Sequence, residues 1–154
     1  MKRYLASIVL AIIVLHCQSQ AAEFSTFVNP GIKFGYTFGE QRGFTIGFEC
    51  SITRMVNDRF AYGAVAAADF CRQLIRFHLG VQASTAIGIE WGPTFIQDGS
   101  ESEFGHSLTP FLGLVAYPYC TMTFRTHSPT LYEVGSYLKV PARMAGPGFS
   151  LGGS

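Results

Sequence analysis

Charged residues are scarce in this chain: only 14% of its 154 residues are Asp, Glu, Lys or Arg, against roughly 25% in an ordinary soluble domain. An excess of either sign is missing too. Eleven Lys and Arg stand against ten Asp and Glu, and the longest basic run is Lys2-Arg3, so nothing offers a footprint for a phosphate backbone and no nucleic-acid partner is expected. No Pro- or Ser-rich linker divides the chain, which excludes a two-domain arrangement at this length. The cysteines show no C-x-x-C and no Cys/His spacing, so neither a metal site nor a cofactor is expected. Beyond residue 22 no helical stripe of useful length appears.

What is present begins with a leader. Lys2 and Arg3 precede an apolar stretch from Tyr4 to Leu15, and the polar His16 to Gln20 leads into Ala21-Ala22. Twelve apolar residues make a helix of only about 18 Å, short of a ~30 Å hydrocarbon core, so residues 1–22 read as a cleavable signal peptide and not as an anchor. A lipoprotein reading of Val14-Leu15-His16-Cys17 places histidine where a small residue is needed. Removal of the leader leaves residues 23–154 as one nearly neutral domain containing Cys50, Cys71 and Cys120. Three is an odd number for an oxidising compartment, and the cysteines read as small apolar residues in a wall.

The mature chain alternates with a period of two. Ile32, Phe34, Tyr36 and Phe38 share one face with Lys33, Gly35, Thr37 and Gly39 opposite, and after a turn Phe44, Ile46, Phe48, Cys50 and Ile52 alternate with Thr45, Gly47, Glu49, Ser51 and Thr53. This is the pattern of half-buried β-strands. Further segments follow at Phe60–Phe70, Ile75–Val81, Ile87–Gly92, Leu108–Tyr117, Cys120–Arg125 and Tyr132–Val140, making eight strands. The parity of Leu108–Tyr117 is ambiguous. Gln97–His106, with its polar core Asp98-Gly99-Ser100-Glu101-Ser102-Glu103, reads as the one long flexible loop.

Two features indicate that the polar face is the interior. It is rich in glycine, which weakens a water-facing strand but makes room in the crowded lumen of a small barrel. It also carries Lys33, Arg76, Arg125 and Lys139 with Glu49, Asp69, Glu90 and Glu133, plus His78, a set whose charges nearly cancel, as enclosed charges must. Turns centred on Gln41, Arg72-Gln73, Ser84 and Pro129 would set Lys33 against Glu49, Asp69 against Arg76, His78 against Glu90 and Arg125 against Glu133. These nine side chains form the expected structural network of the lumen.

On these residues the chain resembles the small eight-stranded outer-membrane β-barrels of Gram-negative bacteria. The carriers are the leader, the alternating segments, and aromatics near strand ends such as Tyr36, Phe38, Phe44, Phe60, Tyr62, Trp91 and Tyr132. The resemblance implies an all-β fold, a closed antiparallel up-and-down barrel of the porin-like kind. Strand eight would close on strand one, because lipid offers an open edge no hydrogen bonds. It implies an outer-membrane location with lipid as partner, a monomer, periplasmic termini, and odd-numbered connections facing outward. The chain departs from that pattern in its Gly- and Pro-rich end, which leaves open a last strand reaching Phe149 or Leu151. Pro110 and Pro118 fit near strand ends.

The expected role is structural or surface-interacting, with a filled lumen and no general pore. Two other roles compete. A soluble, exported lipocalin-like barrel would bind an apolar ligand against Phe34, Phe48, Phe77 and Trp91. A lipid hydrolase would need a His, Ser and acidic triad, for which His127, Ser128 and Glu133, or His106 and Ser107, are the candidates; adjacent residues of a strand point to opposite faces, and no catalytic residue is assigned.

Overall fold

The computed structural model describes residues 24–39, 42–57, 59–72, 74–113, 116–145 and 148–150. The leader and Leu151 lie outside them. Ten strands follow in order: β1 (Phe24–Phe38), β2 (Gly43–Val56), β3 (Phe60–Cys71), β4 (Leu74–Ser84), β5 (Ile87–Asp98), β6 (Glu101–Leu112), β7 (Tyr117–Arg125), β8 (Leu131–Lys139), β9 (Ala142–Ala145) and β10 (Gly148–Ser150). Strands β1 to β8 pair each with the next, all antiparallel, and β8 pairs with β1, closing an eight-stranded up-and-down barrel without an open edge.

Directly opposed lumen-facing residues trace the circuit: Phe27, Thr53, Gly63, Gln82, Glu90, Thr109, Thr121 and Glu133. The last of them opposes Thr37 on β1, about ten residues beyond the starting point, a stagger that corresponds to strands tilted by roughly 40°. The tilt matters for the interior, because it brings side chains from diagonal positions on neighbouring strands to the same height.

Several boundaries differ from the sequence reading, for one reason. Gln97–His106 is not a loop: β5 runs to Asp98, β6 begins at Glu101, and only Gly99-Ser100 separates the opposed pair Asp98 and Glu101. Gly99 supplies the positive φ of that tight turn. Likewise β1 begins at Phe24, eight residues before Ile32, where alternation becomes visible. At the β5–β6 turn both faces are polar, and along the start of β1 Phe27 faces inward while Thr26 and Pro30 share the outward face, so the period fades while the backbone ladder persists. The sixth strand therefore sits earlier than Leu108–Tyr117, and the ambiguous parity came from joining the end of β6 to the start of β7 across a connection. Pro110 lies two residues before the end of β6 and Pro118 is the second residue of β7, both exposed.

The C-terminal end adds a small elaboration. β9 continues β8 along β1 in the same register, opposing Met144 to Thr26 as β8 opposes Lys139 to Gly31. Val140 donates its N–H to the Pro30 carbonyl at 3.0 Å between them. β10, which contains Phe149, folds back antiparallel onto β9.

The faces of the eight barrel strands point one way. The burial pattern of β2 alternates for ten residues, with Phe44, Ile46, Phe48, Cys50 and Ile52 outward and Thr45, Gly47, Glu49, Ser51 and Thr53 buried. Large apolar side chains stand on the outside of all eight barrel strands, among them Phe34, Phe48 (59% exposed), Tyr62, Phe77, Trp91 (54%), Phe104, Phe124 and Val134. This overturns the apolar cavity expected of a lipocalin-like barrel, since Phe34, Phe48, Phe77 and Trp91 all point away from the lumen.

Candidate functional site

The lumen is organised in layers. Its centre is a square of two cations and two anions. Lys33 Nζ lies 2.8 Å from Asp69 Oδ2 and 3.1 Å from Glu133 Oε1, and Arg76 lies 3.2 Å from Asp69 and bonds Glu133 directly. Glu133 is fully buried and also accepts hydrogen bonds from the Tyr119 hydroxyl at 2.6 Å and the Thr37 hydroxyl at 2.8 Å. Two of each sign leave no net charge, which is how ionised groups survive burial in a space from which water is largely excluded.

Glycine makes this square possible. Gly47 of β2 stands between Lys33 and Asp69, opposing both. A Cβ there would lie 2.2 Å from Asp69 Oδ1. The Tyr119 ring similarly lies over the opposed pair Gly35 and Gly135, with its hydroxyl 2.4 Å and 2.5 Å from where their Cβ atoms would stand. Gly35, Gly47 and Gly135 are thus places where one side chain crosses over another strand.

Beside the square, His78 sits 3.0 Å from Glu90 through Nε2 and 3.0 Å from Thr94 through Nδ1. A hydroxyl ladder continues from Thr94 to Ser107 (2.7 Å) and on to Thr123 (3.0 Å). Lys139 pairs with Glu49, its ammonium 4.6 Å from the Tyr137 ring centroid and 5.6 Å from that of Phe111. Arg125 pairs with Glu103 and lies 3.6 Å from Asp98.

All nine side chains expected in the lumen lie on its face, but only one of the four expected pairings is a direct cross-strand pair. Asp69 opposes Arg76 across a two-residue turn in which Arg72 has positive φ. Lys33 opposes Gly47, two residues from Glu49, and pairs with Asp69 and Glu133 instead. His78 opposes Thr94 and reaches Glu90 only diagonally. Arg125 lies four residues out of register with Glu133 and turns to Glu103 and Asp98, which lie on β6 and β5 and not in the loop expected over Gln97–His106. The turns between these strands are longer or placed differently than assumed, and each displaced centre moves the register by two or four. Tyr119, Tyr137, Gln82 and the hydroxyl ladder were missed because uncharged polar residues carry no sign that would pair them.

The candidate triads are not assembled. Glu133 is held in the central square, His127 and Ser128 lie at the β7–β8 connection, and His106 points outward, stacked on Trp91 at 6.0 Å, while Ser107 points in.

The two ends of the lumen differ. At the end holding the β1–β2, β3–β4, β5–β6 and β7–β8 turns, Cys71, Leu74, Ile96 and Leu131 form a plug, each no more than 2% exposed. The middle retains about 10 Å³ of free space among Lys33, Asp69, Arg76, His78 and Glu90. At the opposite end, that of the β2–β3, β4–β5 and β6–β7 turns, the lumen widens to a vestibule of about 480 Å³.

No protein-family model and no curated protein sequence matches the chain. Among solved structures, the solution NMR structure of the de novo designed TMB2.3 is similar with a TM-score of 0.46, 11% identity, and 75% of this chain and 95% of that chain covered. Another, described under the de novo design of transmembrane β-barrels, gives a TM-score of 0.39 at 11% identity with the same coverage. At this distance neither superposition transfers a property, and the chain's own faces carry the functional reading.

Proposed function

We propose that the chain is exported by its leader and spans the outer membrane of a Gram-negative bacterium as a monomeric barrel. Its role is structural or surface-interacting: lipid covers the wall, the charge square holds the interior, and the turns meet whatever lies at either surface. One observation carries this reading. Large apolar side chains ring the outside of every barrel strand while Lys33, Arg76, Asp69 and Glu133 neutralise one another within. A soluble protein with that outer face would expose an apolar surface far larger than the few hundred Å² that water tolerates. The closed sheet meets the demand that lipid makes of any spanning structure, that every backbone group be satisfied internally.

The eight barrel strands run from 9 to 15 residues, enough for tilted strands that need about 9–11. Aromatics sit towards both ends of the belt, Phe38, Phe44, Phe104 and Tyr132 at one and Phe60 and Tyr62 at the other, where girdles anchor to the interfaces. The packed middle of the lumen supports a barrel that admits no general solute flow.

Fractionation of expressing cells, followed by gel mobility of the unheated protein, tests the proposal. The protein should enter the outer-membrane fraction, require detergent for release and migrate faster folded than boiled. Recovery in the aqueous fraction without detergent overturns it.

A further inference from the structure

The vestibule is a cup with chemically distinct walls. Its volume, about 480 Å³, falls within the roughly 300–1,000 Å³ of small-molecule sites, and below it the filled middle of the lumen forms a floor. Strands β2 and β6 lie four places apart in the eight-stranded circuit and so face each other across it. On the β1–β2 side stand Asn29, Ser51 and Thr53; the Asn29 amide donates to Thr53 Oγ1 at 2.9 Å and to Ser51 Oγ at 3.4 Å, which holds the group in place. On the β6–β7 side stand the rings of Phe111 and Tyr117. Between them Gln82 borders the cup from β4, 7% exposed, with its Oε1 unpartnered.

An unpartnered buried carbonyl is costly, and Gln82 Oε1, itself shielded from the cup that its residue lines, reaches a donor there by a turn of the side-chain amide. Charge does not dominate the wall, because Lys139, its one half-buried cation, is paired with Glu49; Arg59 lies at the exposed rim. A ligand suited to this cup is uncharged, carries several hydroxyl donors along one edge and offers an apolar C–H face to the rings opposite. Sugar rings have that division.

We infer that the vestibule is a binding site for a neutral saccharide of one or two rings, entering from the end opposite the plug. Gln82 and Asn29 bond its hydroxyls, and Phe111 and Tyr117 stack on its face. The site serves recognition, not transport, since the floor is closed.

Maltose titrated into the isotope-labelled, folded barrel tests this, in micelles of an amine-oxide detergent that has no sugar headgroup. Fold is checked separately by heat-modifiable mobility, so failure to bind is distinct from failure to insert. Saturable shifts are expected in the Asn29 and Gln82 side-chain amides and the Ser51, Thr53 and Phe111 backbone amides, with a millimolar Kd. Gln82→Leu and Tyr117→Ala should each weaken binding roughly tenfold, and Ser128→Ala at the other end should leave it unchanged. Should Gln82→Leu fail to fold, Tyr117→Ala and the unaltered chain still decide. Shifts that are absent, unsaturable or reproduced by glycerol overturn the inference. So does a saturable response to choline or inorganic phosphate stronger than that to maltose.

Discussion

Lys33 and Asp69 sit on strands that do not touch, yet their side chains meet at 2.8 Å over Gly47 of the strand between them. The contact exists because that middle position has no side chain. Gly47→Val should therefore force the two ends of the pair apart and cost about 3 kcal/mol, a value between simple overpacking and the loss of a buried ion pair. Urea unfolding of the refolded barrel measures it. A midpoint unchanged by the valine would show that the pair does not cross at Gly47.

Glu133 joins Lys33, Arg76, Tyr119 and Thr37. Glu133→Gln leaves two cations facing only Asp69 and should destabilise by about 3–5 kcal/mol. Adding Lys33→Met restores the balance of charge and should recover part of the loss. Unfolding midpoints of the two single variants and the double form a mutant cycle, and strictly additive losses would reject the coupling.

Phe48 lies near the middle of β2 with its ring outside. Phe48→Arg places a cation against hydrocarbon and should cost about 2–4 kcal/mol of membrane folding. Folding yield into lipid vesicles reads the effect, with Phe48→Leu as the tolerated control. Equal yields for the arginine and leucine variants contradict a lipid-facing wall.

Cys50 is exposed on the same outward face, whereas Cys71 is buried in the plug. In vesicles a membrane-impermeant maleimide should modify neither thiol, and urea should make both reactive. Rapid modification of Cys50 in the folded, vesicle-bound protein would mean that its surroundings are water.

The plug and the charge square close the lumen independently. Ile96→Ala with Leu131→Ala should lower stability by several kcal/mol, and by less than the two single losses combined because the side chains share one cluster. Vesicles carrying this variant should still swell in glucose no faster than protein-free ones, since the filled centre remains. Faster swelling would assign the seal to the plug alone.

Faces were legible in the sequence because period-two alternation is a local property: Phe48 outside and Glu49 inside follow from adjacency. Partners were not, because they depend on turns. The Asp69 and Arg76 pair came through since its turn holds only Arg72-Gln73, while Lys33, His78 and Arg125 each lay across a connection whose length the residues do not declare. Even so, His78 and Glu90 found each other, four residues out of register, because the strands are tilted and the side chains long. Glu103 escaped notice by lying on a strand end polar on both faces, where alternation has nothing to separate.

The sealed centre gives the molecule a direction. Whatever enters the open mouth must leave by the same route, so its residence there reflects the concentration in one compartment alone. On the proposed reading the vestibule therefore samples a single side of the bilayer, and turning the barrel over would change which compartment it samples without altering a single contact.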